Sequence, residues 1–155
     1  MTTESLAPIL AEHPLLAGLE RPQLELIVGC ATNVRYSPGE FIFRAGQEAN
    51  HFYFVRSGRV SVETFAPQRG AITIETIGDG DLLGWSWLIP PFEWHFDARA
   101  LNLTRAIAVD ARCLRAKCEA DPAFVYELLK RFTQIMAWRL QATRLQLLDV
   151  YVNAS

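Results

Sequence analysis

The chain reads as a mainly β, α+β domain in which a sandwich or barrel of short strands is preceded by helices and closed by one long helix. Three observations predict this. Runs rich in β-branched and aromatic residues recur at close spacing from Phe41 to Val109, each bounded by Gly, Pro, Asn or Asp. Apolar residues ahead of them follow a helical period. Behind them, Asp121-Pro122 supplies a capping residue and then the first-turn proline that opens a long helix.

Taken in order, Leu6 to Leu10 and Leu24 to Cys30 are two short helical segments, separated by the breakers Pro14 and Gly18 to Pro22. Strands are expected at Phe41 to Phe43, Phe52 to Val55, Arg59 to Phe65, Ala71 to Ile77, Phe96 to Leu101 and Arg105 to Val109. The alternation Val60-Ser61-Val62-Glu63 gives one of them a wet face and a dry one. Asp110 can cap a short helix running towards Cys118. The last helix, Pro122 to Val152, spans roughly 45 Å, longer than a small β-domain needs for a cover. Its apolar arc, from Val125 through Leu128, Phe132 and Met136 to Leu148, is too wide for one contact surface. The expectation is therefore a symmetric homodimer through this helix, with Phe132, Ile135 and Met136 in the contact. A monomer whose arc is covered by the N-terminal helices is the alternative. The expected organisation is one domain over 1–155, with a helical lead-in at 1–34, the β-region at 35–110 and C-terminal helices at 111–152.

Length and composition set the bounds. A chain of 155 residues, half of them hydrophobic and about a fifth charged, is one ordinary globular domain able to bury a core. No apolar run approaches the roughly 18 residues that span a bilayer, and the start Met-Thr-Thr-Glu-Ser has neither the basic lead nor the apolar run of a signal peptide, so a cytoplasmic location and no membrane partner are expected. Three cysteines is an odd count, and Cys113 and Cys118 lack metal-ligand spacing; free, mostly buried thiols are expected. A net charge of −2 with dispersed basic residues lacks the electrostatic footprint of a DNA reader, so this chain alone is not expected to bind DNA.

The glycines make the pattern specific. Gly39-Glu-Phe-Ile-Phe-Arg-Ala-Gly46, Phe52-Tyr-Phe-Val-Arg-Ser-Gly58-Arg-Val60 and Gly80-Asp-Leu-Leu-Gly84 place glycines at turns between short alternating strands. This combination resembles the cyclic-nucleotide-binding domain family, from Pro14 through Met136-Ala-Trp-Arg-Leu-Gln-Ala-Thr143. The resemblance implies a jelly-roll-like double-stranded β-helix of about eight strands, dimerisation through the last helix, and a ligand-sensing or regulatory role. The ending looks like the transcription-regulator branch, in which a helix-turn-helix would come next; none follows in this sequence.

The same resemblance locates a ligand cassette and its departures. Family members usually read Gly-Glu-x-Ala-Leu and, further on, Arg-x-Ala with Thr or Ser, the glutamate binding the ribose and the arginine the cyclic phosphate, beside helix N–H groups. This chain has Gly84-Trp85-Ser86-Trp87-Leu88 and Trp94-His95-Phe96-Asp97-Ala98-Arg99-Ala100. Trp85 stands where the glutamate is expected, Trp94 where the arginine is, and Asp97 where a small hydroxyl residue would approach the phosphate. Losing an arginine from an anion site forfeits roughly 1.5 to 3 kcal/mol. Cyclic AMP and cyclic GMP in the usual mode are therefore disfavoured, with His95, if the register slips by one, or Arg99 as substitute cations.

Aromatic residues take over this stretch. Phe92, Trp94 and Phe96 share one face if the chain there is extended. They either stack a planar or apolar ligand, with Ser86, His95 and Asp97 as polar contacts, or fill the cavity themselves and leave a ligandless protein-interaction module. Thr143 matches a position where regulator relatives present a hydroxyl to the base, though a helical threonine also bonds back to its own preceding turn. The candidate ligand set is Gly84, Trp85, Ser86, Trp94, His95, Phe96, Asp97 and Thr143.

Enzyme chemistry finds little support. Gly84-Trp85-Ser86 completes only half of a Gly-x-Ser-x-Gly elbow, and His13, His51 and His95 have no second ligand at i+3 or i+4. Haem with His95 as axial ligand is the remaining cofactor reading, since some relatives sense gases through haem. No catalytic or metal residue is assigned.

Overall fold

In the computed structural model, which describes residues 6–153, the helical lead-in ends sooner than the sequence suggests. Helices α1 (Ala7–Glu12) and α2 (Arg21–Val28) are followed directly by strand β1, Ala31–Tyr36, where the sequence reading has helix up to residue 34. β1 is an edge strand with no fully buried residue, so it lacks the apolar alternation that marks a half-buried strand. The expected strands all form: β2 (Phe41–Phe43), β3 (His51–Ser57), β4 (Val60–Ala66), β5 (Gly70–Ile77), β7 (Asp97–Ala100) and β8 (Thr104–Asp110). Between β5 and β7 lies β6, Leu82–Leu83, too short to carry a pattern of its own.

These strands form two antiparallel four-stranded sheets, β1-β8-β3-β6 and β2-β7-β4-β5, the jelly-roll arrangement that the family resemblance implies. Tight turns between strands need unusual backbone, as at Gly58, whose φ is +119°. A Cβ there would sit 2.7 Å from the Thr104 Cα, a clash with backbone that cannot rotate away.

Helices α3 (Ala111–Glu119) and α4 (Pro122–Asn153) begin at the aspartates expected to cap them. Asp110 accepts hydrogen bonds from the N–H groups of Arg112 and Cys113, and Asp121 accepts one from Phe124 N–H at 3.1 Å. Cys30 and Cys113, expected as free thiols, form a disulfide with Cα atoms 5.8 Å apart. Their sequence separation of 83 hides the proximity. Pairing of Ala31 with Val109 brings the start of β1 beside the end of β8, which places the two cysteines at one corner of the sheet. Cys118 remains a free thiol.

The long helix divides its work along its length. Phe124, Leu128 and Phe132 are buried in the core, and the Phe132 ring meets Phe52 of β3 edge-on at 5.3 Å and Trp87 at 5.5 Å. Phe132 therefore has no surface to offer a partner chain, contrary to the sequence-based expectation, because the outer face of β3 claims it. Ile135 is partly buried against the same core, and Met136 turns towards a cavity described below. From Gln141 to Asn153 every residue of α4 is exposed. Leu129, Thr133, Met136, Leu140, Thr143, Leu147 and Val150 recur along the helix at alternating steps of four and three. The spacing is the 3.5-residue repeat of a coiled-coil seam, and four of the seven, Thr133, Met136, Leu140 and Thr143, also line the cavity described below.

His13, at the end of α1, couples stability to pH. Its Nε2 donates to the Gly80 carbonyl at 2.7 Å, its Nδ1 accepts from Leu15 N–H at 3.0 Å, and its ring lies edge-on to Phe54. Burial lowers its pKa from the ordinary 6.5, against the hydrogen bond to Gly80 and the Asp81 carboxylate, which raise it. A depressed value means that the unfolded chain takes up the proton first as pH falls. Stability is expected to hold above pH 6.5 and to decline below it through the interval down to the folded-state pKa. Urea midpoints for wild type and His13→Phe at pH 7 and pH 5 check this; an equal loss in both proteins would remove His13 as the cause.

Candidate functional site

A cavity of about 1050 Å3 opens between the sheet carrying β4 and β5 and the inner face of α4. Three stretches of chain form its walls: β5 with Thr73 and Glu75, the segment Gly84-Trp85-Ser86 with Trp94-His95-Phe96, and the α4 face bearing Met136, Arg139 and Thr143.

Within the cassette, Trp94 is a packing element. Only 5% of it is exposed, its ring is stacked on Phe43 at a centroid distance of 3.7 Å, and its other flank meets Gly84. A Cβ at Gly84 would lie 2.6 Å from Trp94 Cη2, and the glycine also takes a φ of +94° that an L side chain resists. The glycine that opens the cassette is thus the floor on which the indole rests. Phe96, two residues on, keeps its ring at the cavity and is exposed there. Phe92 departs from the expected three-ring wall. It follows Pro90-Pro91, takes a φ of +59°, and lies under the Arg115 guanidinium at 4.6 Å, away from the cavity. The extended chain that would align the three rings begins only after it.

The polar candidates separate. Ser86 opens a single 3-10 turn, Ser86–Leu88, and lines the cavity, as does the exposed His95. Where the resemblance implies a short cassette helix, the chain makes this single turn. Trp87, within the turn, is fully buried and stacked on Phe52 at 4.8 Å, its indole N–H without a partner among the described residues. Asp97 points elsewhere: its carboxylate accepts from Ala45 N–H at 2.8 Å and pairs with Arg44 at 3.5 Å. It lies on the opposite face of β7 from Ala98, so it neither lines the cavity nor repels an anion there. Arg99 shares that outer face and is engaged with Glu63 through two hydrogen bonds, 3.2 and 2.8 Å long. The bond from Arg99 holds the buried Glu63 carboxyl below its ordinary pKa. Arg99 is therefore unavailable as a substitute cation.

A charge pair that the cassette lacks arrives from other elements. Arg139 of α4 lies 3.5 Å from the Glu75 carboxylate of β5, donates to the Leu82 carbonyl, and sits 5.2 Å over the Trp85 ring. Burial pulls its pKa down, opposed by Glu75 and Asp81, and a guanidinium stays charged under such a shift. Trp85, standing where a ribose-binding glutamate was expected, is thus a platform for a guanidinium. Thr143, one turn further, lines the cavity while its hydroxyl donates to the Arg139 carbonyl at 2.9 Å. The sequence reading missed Arg139 and Glu75. A signal was present: arginine four residues before Thr143 shares its helix face.

Comparison with known proteins places this architecture. The pattern that defines the cyclic nucleotide-binding domain matches residues 33–121, more than half of the chain. A CRP-like cAMP-activated global transcriptional regulator of Mycobacterium tuberculosis is 24% identical over 142 residues, which cover 92% of this chain and 62% of that protein. A protein of Bradyrhizobium diazoefficiens named Glutaminase 2 is 26% identical over 92% of this chain and 22% of its own length. The chain thus spans less than two thirds of either relative. A solved cyclic nucleotide-binding domain from Methylobacillus flagellatus has the same fold, with a TM-score of 0.77 at 16% identity over 93% of this chain and 81% of that one. Fold, glycine-bounded strands and the matched region agree, and the chain belongs to the cyclic nucleotide-binding domain family.

Proposed function

We propose that this chain is a non-catalytic, ligand-sensing regulatory module whose ligand is a planar small molecule other than cyclic AMP or cyclic GMP bound in the usual mode. The observation that carries this reading is the cavity of about 1050 Å3 that stays open beneath α4 although Trp94 has sunk into the core. A self-filled pocket would leave no such volume. The ligand stacks against Trp85 and Phe96, while Arg139 and Glu75 offer one charge of each sign, which favours a neutral or zwitterionic ligand over a phosphate monoanion. Because the cavity touches both the roll and α4, occupancy favours one seating of the helix, and that seating is the signal. The relatives, one named as a transcriptional regulator and one as a glutaminase, support a module that reports to different outputs. A homodimer through the α4 seam brings two such helices into register.

Calorimetry with cyclic AMP and cyclic GMP, beside native mass spectrometry of the purified protein, tests the reading. The expected result is binding in the high micromolar range or weaker for both nucleotides, since loss of two charged contacts removes roughly 3 to 6 kcal/mol if additive. A co-purifying small molecule is expected in the native spectrum. Low micromolar binding of either nucleotide would overturn the assignment.

A further inference from the structure

A second, shallower groove of about 350 Å3 lies on the other sheet and is lined by Asn33, Val34, Arg35, Arg56 and Arg105. Register places the arginines together: Arg35 of β1 is directly opposite Arg105 of β8, and Arg56 occupies the irregularity in β3 beside Arg105. With strands about 4.8 Å apart, three guanidinium-bearing positions fall within roughly 10 Å. All three residues are exposed. Like charges directly opposite each other on neighbouring strands are unfavourable, so the pair is retained at a cost to the free chain.

Arg21, Arg44, Arg99, Arg112, Arg131 and Arg139 each stand within 4 Å of a carboxylate, whereas Arg35, Arg56 and Arg105, like Arg59, Arg69, Arg115 and Arg144, form no ion pair among the described residues. What sets the three apart is that they share one groove. The side-chain hydrogen bond made by this cluster among the described residues is to Asn33, whose Oδ1 accepts from Arg56 at 3.3 Å. In a chain of net charge −2, this is cationic surface with its counter-charge missing.

We propose that the groove binds an acidic segment of a partner polypeptide, its clustered Asp and Glu carboxylates paired to Arg35, Arg56 and Arg105. Guanidinium forks match carboxylates in bidentate geometry, and an open groove with three exposed cations suits an extended chain better than an enclosed small anion. Duplex DNA is a poorer match. It rewards many phosphate contacts over a long footprint, and this cluster offers three within roughly 10 Å.

Fluorescence anisotropy with a labelled hexaglutamate peptide at low ionic strength tests the site. Wild type is expected to bind, and Arg105→Glu to weaken binding at least tenfold. The control Arg69→Glu changes net charge equally but lies outside the groove, and it is expected to stay within twofold of wild type. Thermal melts should show Arg105→Glu as stable as wild type or more so, because it converts an Arg–Arg cross-strand pair into Arg–Glu. No binding by wild type, equal losses in both variants, tighter binding of a duplex DNA, or displacement of the peptide by lower concentrations of inorganic tripolyphosphate would each overturn the proposal.

Discussion

Replacing Trp94 by alanine is expected to destabilise the domain by about 3 to 5 kcal/mol, the range for deleting a large buried ring that its surroundings cannot replace. The indole is wedged between Phe43, which stacks on it at 3.7 Å, and the backbone of Gly84, which has no side chain to move into the gap. For a domain of this size the loss corresponds to roughly 6 to 20 °C in Tm. Trp85→Ala provides the contrast. Its ring is partly exposed at the cavity under Arg139, so the substitution removes less buried surface and is expected to cost under half as much. Its effect should instead fall on any co-purifying small molecule. Denaturant melts of the two variants, with native mass spectra of each, separate the packing ring from the ligand-facing one. Equal losses of stability, with an unchanged spectrum for Trp85→Ala, would mean that neither ring addresses a ligand.

That contrast also marks how far the sequence could be read. Strands with a buried face announced themselves through Phe, Val and Ile between turn residues, and both aspartate caps were visible before their helices. β1 was not, because Ala31-Thr-Asn-Val-Arg-Tyr36 is an edge strand with no fully buried residue. Gly84 to Ser86 and Trp94 to Phe96 line one cavity, yet the direction of the cassette's other members depended on the local chain, which spacing supplies only where the chain is regular. Asp97 and Arg99 face outward with the β7 pleat, and Phe92 is turned aside before that pleat begins. Arg139 and Glu75 were invisible as a pair because helix and strand meet only in the folded chain. The disulfide was hidden for the same reason, its cysteines being joined by the pairing of β1 with β8.

Introducing a charge at Leu147 is expected to abolish the proposed homodimer while leaving the folded protomer intact. Phe132 belongs to the protomer's own core and Ile135 packs partly against it, so a substitution at either confounds folding with assembly. Leu147 avoids this. It is 56% exposed, lies on the stripe running from Leu129 to Val150, and falls on the part of α4 where every residue is exposed. In a parallel, two-fold arrangement, equivalent seam positions face one another, so Leu147→Glu buries two like charges at one layer. An uncompensated buried charge costs several kcal/mol, and about 4 kcal/mol raises the dimer Kd roughly a thousandfold. Sedimentation is expected to report dimers for wild type at micromolar concentration and monomers for Leu147→Glu, with the two proteins sharing one far-ultraviolet spectrum and one monomer melting profile at high dilution. A monomeric wild type would remove the seam as an interface, and a dimeric Leu147→Glu would move the interface off this stripe. Either result would leave the exposed end of α4 to some other partner and detach helix seating from dimer geometry in the signalling scheme.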